Sequence, residues 1–574
     1  MIRESILHIP MSNYAHGLDE THVLFRIRTA RKDIRTCTLY YGDRACRLTP
    51  VIFSSIKMNI VAGDLYFDYF EVELESPYTR ICYYFELDDG IDKIYYYSEL
   101  FTKHLTSDRS AYYQLPYNRR EDIADVPKWV KDAIIYNIFP DSFATSRQYI
   151  SALETIKEFN GHTTKGKNGG TILGILENID YLMHMGISCV YINPIFAAGE
   201  YHKYDILDYY HIDPCFGTNE EFHELVQVCH SKGIRVIIDG VFNHCGWKFF
   251  AFEDVVINGE NSQYKDWFYR LSYPVIRPDN MDDIPNYECF GYERLMPKLN
   301  TSNPEVIRYF CNVCRYWLEE YDIDGWRLDV ANEVNDDFWR AFRKTAKKIK
   351  PDCFLIGEVW ESAEHYLKGD LFDSTMNYDF RKSCQAFFAE GRIDAYEFDS
   401  RVTRMRMRYR RNMLYGQLNL LDSHDVSRFL SLCQGSIPRY KLAVIFQMMF
   451  IGAPSIFYGD EQQIMGLTED EYRSPMVWNR SSELFTFYQL VISLRKELEA
   501  IRYGSYCTIY AGKGDGLYIF ERVYNSEKIA VILNGQDKDI DINGYTQINE
   551  VLLQEGYQHT TLSGYGYIIA NRKI

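Results

Sequence analysis

From the first residue to about Ala124, apolar and polar positions alternate with a period of two. Phe70, Val72 and Leu74 interleave with Glu71, Glu73 and Glu75, and Asp89-Gly90 separates two aromatic-rich runs as a hairpin turn. This spacing predicts a β-sandwich of roughly a hundred residues or a little more. Near Val126-Pro127-Lys128-Trp129 the pattern changes. Eight short apolar runs begin near Ile134, Cys189, Val236, Trp326, Phe354, Ser374, Gln417 and Ser455, and helices fit in the gaps between them. Thr218-Asn219-Glu220-Glu221 has the form of a capping box, Gly233 ends that helix, and Ile234 to Ile238 make the next strand. Asn303-Pro304 opens another helix toward Tyr321. Eight strand-helix repeats predict an α/β fold, a (β/α)8 TIM barrel. The gap from His244 to Asn303 is oversized, so a subdomain is expected above the barrel rim after strand 3. Alternation returns around Asp515-Gly516 and Ile529 to Leu533, which predicts a C-terminal β domain. The expected division is 1–124, 125–498 with subdomain 244–303 inside it, and 499–574.

A chain of 574 residues has room for two to four domains, and 46% apolar with 25% charged residues is an ordinary globular balance. The net charge of -17 repels phosphate backbones and anionic lipid, so neither nucleic acid nor membrane is an expected partner. The run Leu442 to Tyr458 contains Gln447 and is cut by Gly452 and Pro454, which reads as a buried helix followed by a strand. Met1-Ile2-Arg3-Glu4-Ser5 shows no export signal, and the fourteen cysteines show no disulfide spacing; together they point to the reducing cytoplasm. Cys311 and Cys314 have no second pair or histidine at zinc spacing, so packing is their expected role. Most of the 48 tyrosines are expected in core and interface packing, although aromatic faces also suit sugar stacking.

Reacting groups of a barrel enzyme stand at the C-terminal ends of its strands. Four strands here end in carboxylates: Asp239-Gly240-Val241-Phe242-Asn243-His244, Gly325-Trp326-Arg327-Leu328-Asp329, Gly357-Glu358-Val359-Trp360 and Asp422-Ser423-His424-Asp425. Any one alone reads as a helix cap or a surface charge; four at equivalent positions do not. Arg327 and Asp329 fall on one strand face, so the guanidinium is expected to depress the pKa of Asp329 and keep it ionised for nucleophilic attack. Crowded carboxylates raise one another's pKa, which supplies an acid beside a nucleophile. The competing reading of Arg327 and Asp329 is a buried structural ion pair.

On these segments the chain resembles the α-amylase superfamily of retaining glycoside hydrolases, with further matches at Ile192-Asn193-Pro194 and Gly452 to Glu461. Met296-Pro297-Lys298-Leu299-Asn300 and Val330-Ala331-Asn332-Glu333 resemble signatures of its neopullulanase, cyclomaltodextrinase and maltogenic amylase subgroup. The resemblance implies Asp329 as nucleophile, Glu358 as general acid and base, and Asp425 as the group holding the sugar's hydroxyls in the transition state. It implies sugar contacts from His244, His424 and Tyr204, support of Arg327 by Asp239, substrate binding at Asn332 and Glu333, and aromatic platforms at Trp360 and Phe290, where core packing is an equal reading for Phe290. Retaining enzymes keep their two carboxyl groups about 5 to 5.5 Å apart, which is the spacing expected of Asp329 and Glu358. In relatives the N-terminal sandwich often covers a partner's active site, so a homodimer through that domain is the expected assembly.

The chain departs from the family where relatives hold calcium: it reads Ala144-Thr145-Ser146-Arg147 and Gly169-Gly170-Thr171, with few carboxylates for a hard cation. No calcium is expected at that site and no cofactor is required; a structural calcium is the alternative, although its usual loop is lost. Glu361 stands where relatives often have histidine, which leaves acceptor preference open. The expected activity is hydrolysis of α-1,4-glucosidic bonds in cyclodextrins, maltooligosaccharides or pullulan. The alternatives are an α-glucan transglycosylase using the same covalent intermediate, a metal-dependent phosphoesterase and a non-catalytic sugar-binding protein.

Overall fold

The computed structural model describes residues 1–146, 155–280 and 283–572. The N-terminal strands run from Ala15–Gly17 to Tyr113–Leu115. They form two faces joined by one long strand, Ser54–Gly63, which pairs with Thr36–Asp43 at one end and with Phe67–Glu75 at the other. Phe25, Ile27, Leu39, Phe70, Leu74, Tyr83 and Phe85 fill the core between them. The Asp89-Gly90 turn forms as the pattern predicts, with Gly90 at φ 89°. The polar face of Phe67–Glu75 is not free. Glu71 is buried between Arg26 and Arg411, and Arg411 also reaches Glu73 at 2.9 Å, so this face docks on the barrel.

The barrel strands are β1 (Ile135–Ile138), β2 (Cys189–Ile192), β3 (Arg235–Gly240), β4 (Gly325–Leu328), β5 (Phe354–Gly357), β6 (Ser374–Thr375), β7 (Leu418–Leu420) and β8 (Ala453–Phe457). They form one parallel sheet in the order β6-β5-β4-β3-β2-β1-β8-β7, and a parallel bridge from Met376 to Leu418 joins its two ends. Alternation along the strands sends Ile135, Cys189, Tyr191, Ile237, Phe354, Ile356 and Leu418 into one interior cluster. Towards the C-terminal rim this interior turns polar, with Asn137, Asn193, Asp239 and Arg327 all buried. The barrel interior thus passes from a dry floor to a hydrogen-bonded layer on which the site stands.

Helix Asn219–Ser231 carries the capping box read from its sequence, and Pro304–Glu320 is capped by Asn303. Ile437–Met449 followed by β8 confirms the buried helix-strand reading of that apolar run. One expectation changes, and two unpredicted hairpins appear. Between β5 and β6 the only helical segment is the single turn Glu364–Leu367, because sixteen residues must also supply the loop that carries Trp360. Two hairpins were not legible in advance: Thr155–Phe159 with His162–Gly166, and Phe196–Ala198 with Ile206–Ile212. Beyond β3 the insertion contains helix Phe250–Asn258 and then largely irregular chain. It returns through Met296 to Asn300, where Lys298 bridges to His244 and Leu299 to Phe268. The C-terminal sheet starts at Ser505–Ala511 and ends at Thr561–Asn571.

Gly452, before β8, has φ 114°, and a Cβ there would lie 2.6 Å from Asn419 Nδ2 and 2.7 Å from the Gln417 carbonyl. Gly452→Ala is expected to destabilise the barrel by about 1–3 kcal/mol through backbone strain and the forced contact. A denaturation midpoint equal to that of the parent chain would show that the loop relaxes freely.

Candidate active site

Strand register builds the site. Asp239 pairs with Arg327 across β3 and β4, and Leu328 pairs with Gly357 across β4 and β5. One residue further along both strands places Asp329 beside Glu358 at the rim. Arg327 lies fully buried beneath them. Its Nη1 donates to Asp329 Oδ1 at 2.7 Å and to Asp239 Oδ1 at 3.0 Å, while Nη2 lies 2.8 Å from Glu358 Oε1 and 3.8 Å from Asp425 Oδ2. The Nη2 contacts are ionic and out of line for hydrogen bonding. Asp239 is held in turn by the Tyr191 hydroxyl at 2.8 Å, so it orients the guanidinium and does not reach the cleft.

Val330 follows Asp329 with φ 44°, a left-handed backbone that β-branched residues rarely adopt. Its N–H donates to Glu358 Oε2 at 2.9 Å, and Trp360 Nε1 donates to Glu358 Oε1 at 3.2 Å. The strained residue therefore aims an amide at the second carboxyl group.

The electrostatics correct one expectation. Asp329 is not held low by Arg327: burial pushes its pKa well above the ordinary carboxyl value, and Glu358, Asp239 and Asp425 add to that push. Burial is the largest cause, and Arg327 cannot offset it while serving four carboxylates. Glu358 is also raised, chiefly by burial. The group held low is Asp425, where His424, Arg327 and Arg473 together outweigh burial. His244 is kept neutral by burial, its pKa lowered to about 3.

Above these groups opens a cleft of about 540 Å³. Asp329, Glu358, Asp425, Tyr204, His244, Phe290, Asn332, Glu333 and Trp360 all line it. Trp360 stacks on Tyr378 at 4.0 Å, and Phe290 stacks on His244 at 4.9 Å, so both rings stand as walls. Tyr204 is stacked on His424 at 5.6 Å and 8°. His424 itself is fully buried, with Nε2 2.9 Å from Asp425 Oδ2 and in hydrogen-bond contact with the Tyr204 hydroxyl. His244 Nε2 is buried with no protein partner, although its ring borders the cleft. Glu333 sits on the rim, tied to Lys298 at 3.1 Å.

Sequence reasoning missed Arg473. It donates to the His424 carbonyl at 2.8 Å, lies 3.5 Å from Asp425 Oδ1 and pairs with Glu469. The i,i+4 spacing of Glu469 and Arg473 was the available signal, but nothing local ties it to the site. His202, Glu293, Met296 and Glu361 also line the cleft.

Among the described residues no group of three or more His, Cys, Asp or Glu side chains could hold a metal ion. The segments around Ala144 and Gly169 to Thr171 are knitted by their own hydrogen bonds. Asp141 accepts from the Lys167 and Asn168 amides at 2.9 Å each, and Thr171 donates its N–H to the Ala144 carbonyl and caps the following helix. Ser146 meets Glu177 at 3.0 Å; Arg147 lies outside the described residues. All fourteen cysteines are free thiols, and no helix among the described residues is long and apolar enough to cross a membrane.

Buried carboxylates sharing one guanidinium, under an aromatic-walled cleft at the rim of a (β/α)8 barrel, define a site for cleaving glycosidic bonds through paired acids. The chain belongs to the alpha-amylase family of glycoside hydrolases. The alpha amylase catalytic-domain model matches residues 137–483, and the alpha amylase N-terminal ig-like domain model matches residues 1–119. Cyclomaltodextrinase of Thermoanaerobacter pseudethanolicus is 40% identical over 94% of this chain and 93% of its own length. Neopullulanase 2 of Thermoactinomyces vulgaris is 39% identical over 93% and 92%. A solved cyclomaltodextrinase superposes with a TM-score of 0.91 at 35% identity, covering all of both chains.

Proposed function

We propose that this chain hydrolyses α-1,4-glucosidic bonds of cyclodextrins, short maltooligosaccharides or pullulan by double displacement with retention. The observation that carries the reading is the one guanidinium that touches both Asp329 and Glu358 beneath a single cleft. Asp329 attacks the anomeric carbon, and Glu358 gives its proton to the leaving oxygen and then takes one from water. Burial raises both carboxyl groups, which favours a proton held on the pair. The in-line hydrogen bond from Arg327 goes to Asp329, which favours charge there and the proton on Glu358.

Asp425, kept anionic, holds the ring hydroxyls as positive charge develops on the sugar. His424 fixes Asp425 and Tyr204 from behind, while the free Nε2 of His244 is available to the sugar. Tyr204, Trp360 and Phe290 pack on sugar faces, and Asn332, Glu333 and Arg473 complete the cleft. Proton NMR of the first product tests retention: the α-anomer is expected, and the β-anomer appearing first would remove the double displacement.

Capture of the same intermediate by a sugar hydroxyl is the second reading. The half-exposed Trp360 beside Glu361 offers an acceptor a wall to stack on. Longer or α-1,6-linked products at high maltose concentration would establish it.

The reading extends to the whole chain, with units 1–124, 125–498 and 499–574, no required calcium and a cytoplasmic location suited to fourteen free thiols. The assembly is a homodimer through the N-terminal domain. Arg44, Arg80 and Arg109 line one concavity there with no carboxylate within ion-pair distance among the described residues, whereas Glu293, Glu333, Glu361 and Glu469 line the cleft. Opposite charge favours the first surface meeting the second on a partner copy. Sedimentation should give a dimer that loosens in high salt, and a monomer at all concentrations would reject the assembly.

A further inference from the structure

A second group of acids lies beneath the catalytic rim, where the loops after β7 and β8 meet. Asp422, Asp460 and Glu461 are all buried, and so is Arg428, which lies between these loops. Each has defined partners. Glu461 Oε1 accepts from Tyr136 at 2.9 Å and Tyr181 at 2.7 Å. Arg428 donates to Asp460 Oδ1 at 3.0 Å, to the Tyr458 carbonyl at 2.6 Å and to the Tyr472 carbonyl at 3.0 Å. Asp460 Oδ2 accepts the Phe457 amide at 3.2 Å, and Asp422 Oδ2 accepts the Phe429 amide at 2.7 Å.

One oxygen is left over. Asp422 Oδ1 is buried and receives no donor from the backbone or from any basic side chain, but the Asp460 carboxyl group is within hydrogen-bonding reach of Asp422. Two ionised carboxylates facing one another with no donor between them would repel, and burial makes that repulsion costly. A proton between them satisfies both the orphan oxygen and the charge balance.

We propose that Asp422 and Asp460 form a hydrogen-bonded carboxyl-carboxylate pair that, through Arg428, fixes the loop presenting His424 and Asp425, and that both are positioning residues for glycoside cleavage. The inference rests on the reading that Asp425 contacts the sugar. Asp422 closes the segment 422–429 on itself by capping Phe429, and Asp460 ties that segment to β8. Arg473 holds the same segment from the cleft side through the His424 carbonyl. The charged and titratable groups facing the pair are Arg428, Glu461, Tyr440 and Tyr488, with Arg381 and Cys433 near Asp422.

The experiment compares Asp422→Asn with Asp422→Leu in the full-length enzyme. An asparagine keeps an oxygen for Phe429 and presents an amide nitrogen to Asp460, so it reproduces the protonated pair without a proton to lose. Asp422→Asn should hold kcat on a maltooligosaccharide within about threefold of the parent. Asp422→Leu should lose kcat by on the order of tenfold to a hundredfold, as expected of sub-ångström to ångström misplacement of a reacting group, with a smaller change in KM. Kinetics are read per folded molecule, from the near-ultraviolet signal, so that loss of folding is not counted as loss of kcat. Equal kcat in the two variants, or a loss in Asp422→Asn as large as in Asp422→Leu, would overturn the proposal. Asp425→Asn is run beside them: if it keeps full activity, the reading of Asp425 fails on its own account, whatever the Asp422 variants show.

Discussion

Asp329→Asn is expected to lower kcat by roughly 10⁴- to 10⁶-fold, the range seen when a covalent nucleophile is removed, while oligosaccharide binding persists. The amide keeps the shape of the carboxyl group and can still accept from Arg327 Nη1, now 2.7 Å from Asp329 Oδ1, but it cannot form the glycosyl ester. Binding is followed by the fluorescence of Trp360, which stands half-exposed on the cleft wall. The sharper test is stereochemical. With Asp329→Ala, azide entering the vacated space attacks from the nucleophile's face and gives a β-glycosyl azide from an α-linked substrate. With Glu358→Ala, azide attacks the ester intermediate from the opposite face and gives the α-azide. Reversed outcomes would exchange the two roles. Wild-type turnover by Asp329→Asn would revive the non-catalytic sugar-binding reading.

Glu358→Gln is the second large effect. Loss of general acid catalysis costs about 10²- to 10⁴-fold, least for a substrate whose leaving group needs no proton, such as a fluoride. The pH dependence follows from the direction of the shifts. Burial raises both Asp329 and Glu358, so the pair gives up its first proton above the ordinary carboxyl range and the second at still higher pH. The singly protonated pair is the active form. Activity of the parent enzyme therefore rises as pH climbs through the first step and falls through the second. In Glu358→Gln the alkaline fall attributable to the acid should vanish on a glycosyl fluoride, leaving only the rise as Asp329 ionises. A variant that keeps the alkaline fall would place the proton donor elsewhere. Asp425 behaves oppositely. Its pKa is depressed, so its ion pairs stabilise the fold above the ordinary aspartate pKa and are lost as pH falls below it.

These expectations depend on neighbours, and neighbours mark the border between what the chain announces and what folding decides. The eight apolar runs determined the barrel, because a short continuous apolar run between helical segments has few other ways to bury both faces. The same runs determined which carboxylates reach the rim. A strand fixes the side its residues face, and its last residue lies at the barrel mouth by construction, so Asp239, Asp329 and Glu358 were legible as a group. The turn at Asp89-Gly90 and the cap at Thr218 were legible for a similar reason: their chemistry is complete within four residues.

Charge was not legible. The two-residue spacing of Arg327 and Asp329 suggested an exclusive pair, but burial and the neighbouring Glu358, Asp239 and Asp425 raise Asp329, while His424, Arg327 and Arg473 hold Asp425 low. Arg473 reached the site through a loop with no pattern of its own. Glu71 looked solvent-facing until Arg411, 340 positions away, covered it. Secondary structure and strand facing follow from short-range sterics and burial, which the sequence carries locally. Ionisation follows from desolvation and from every charge within a few ångströms, and that set exists only once the chain has folded.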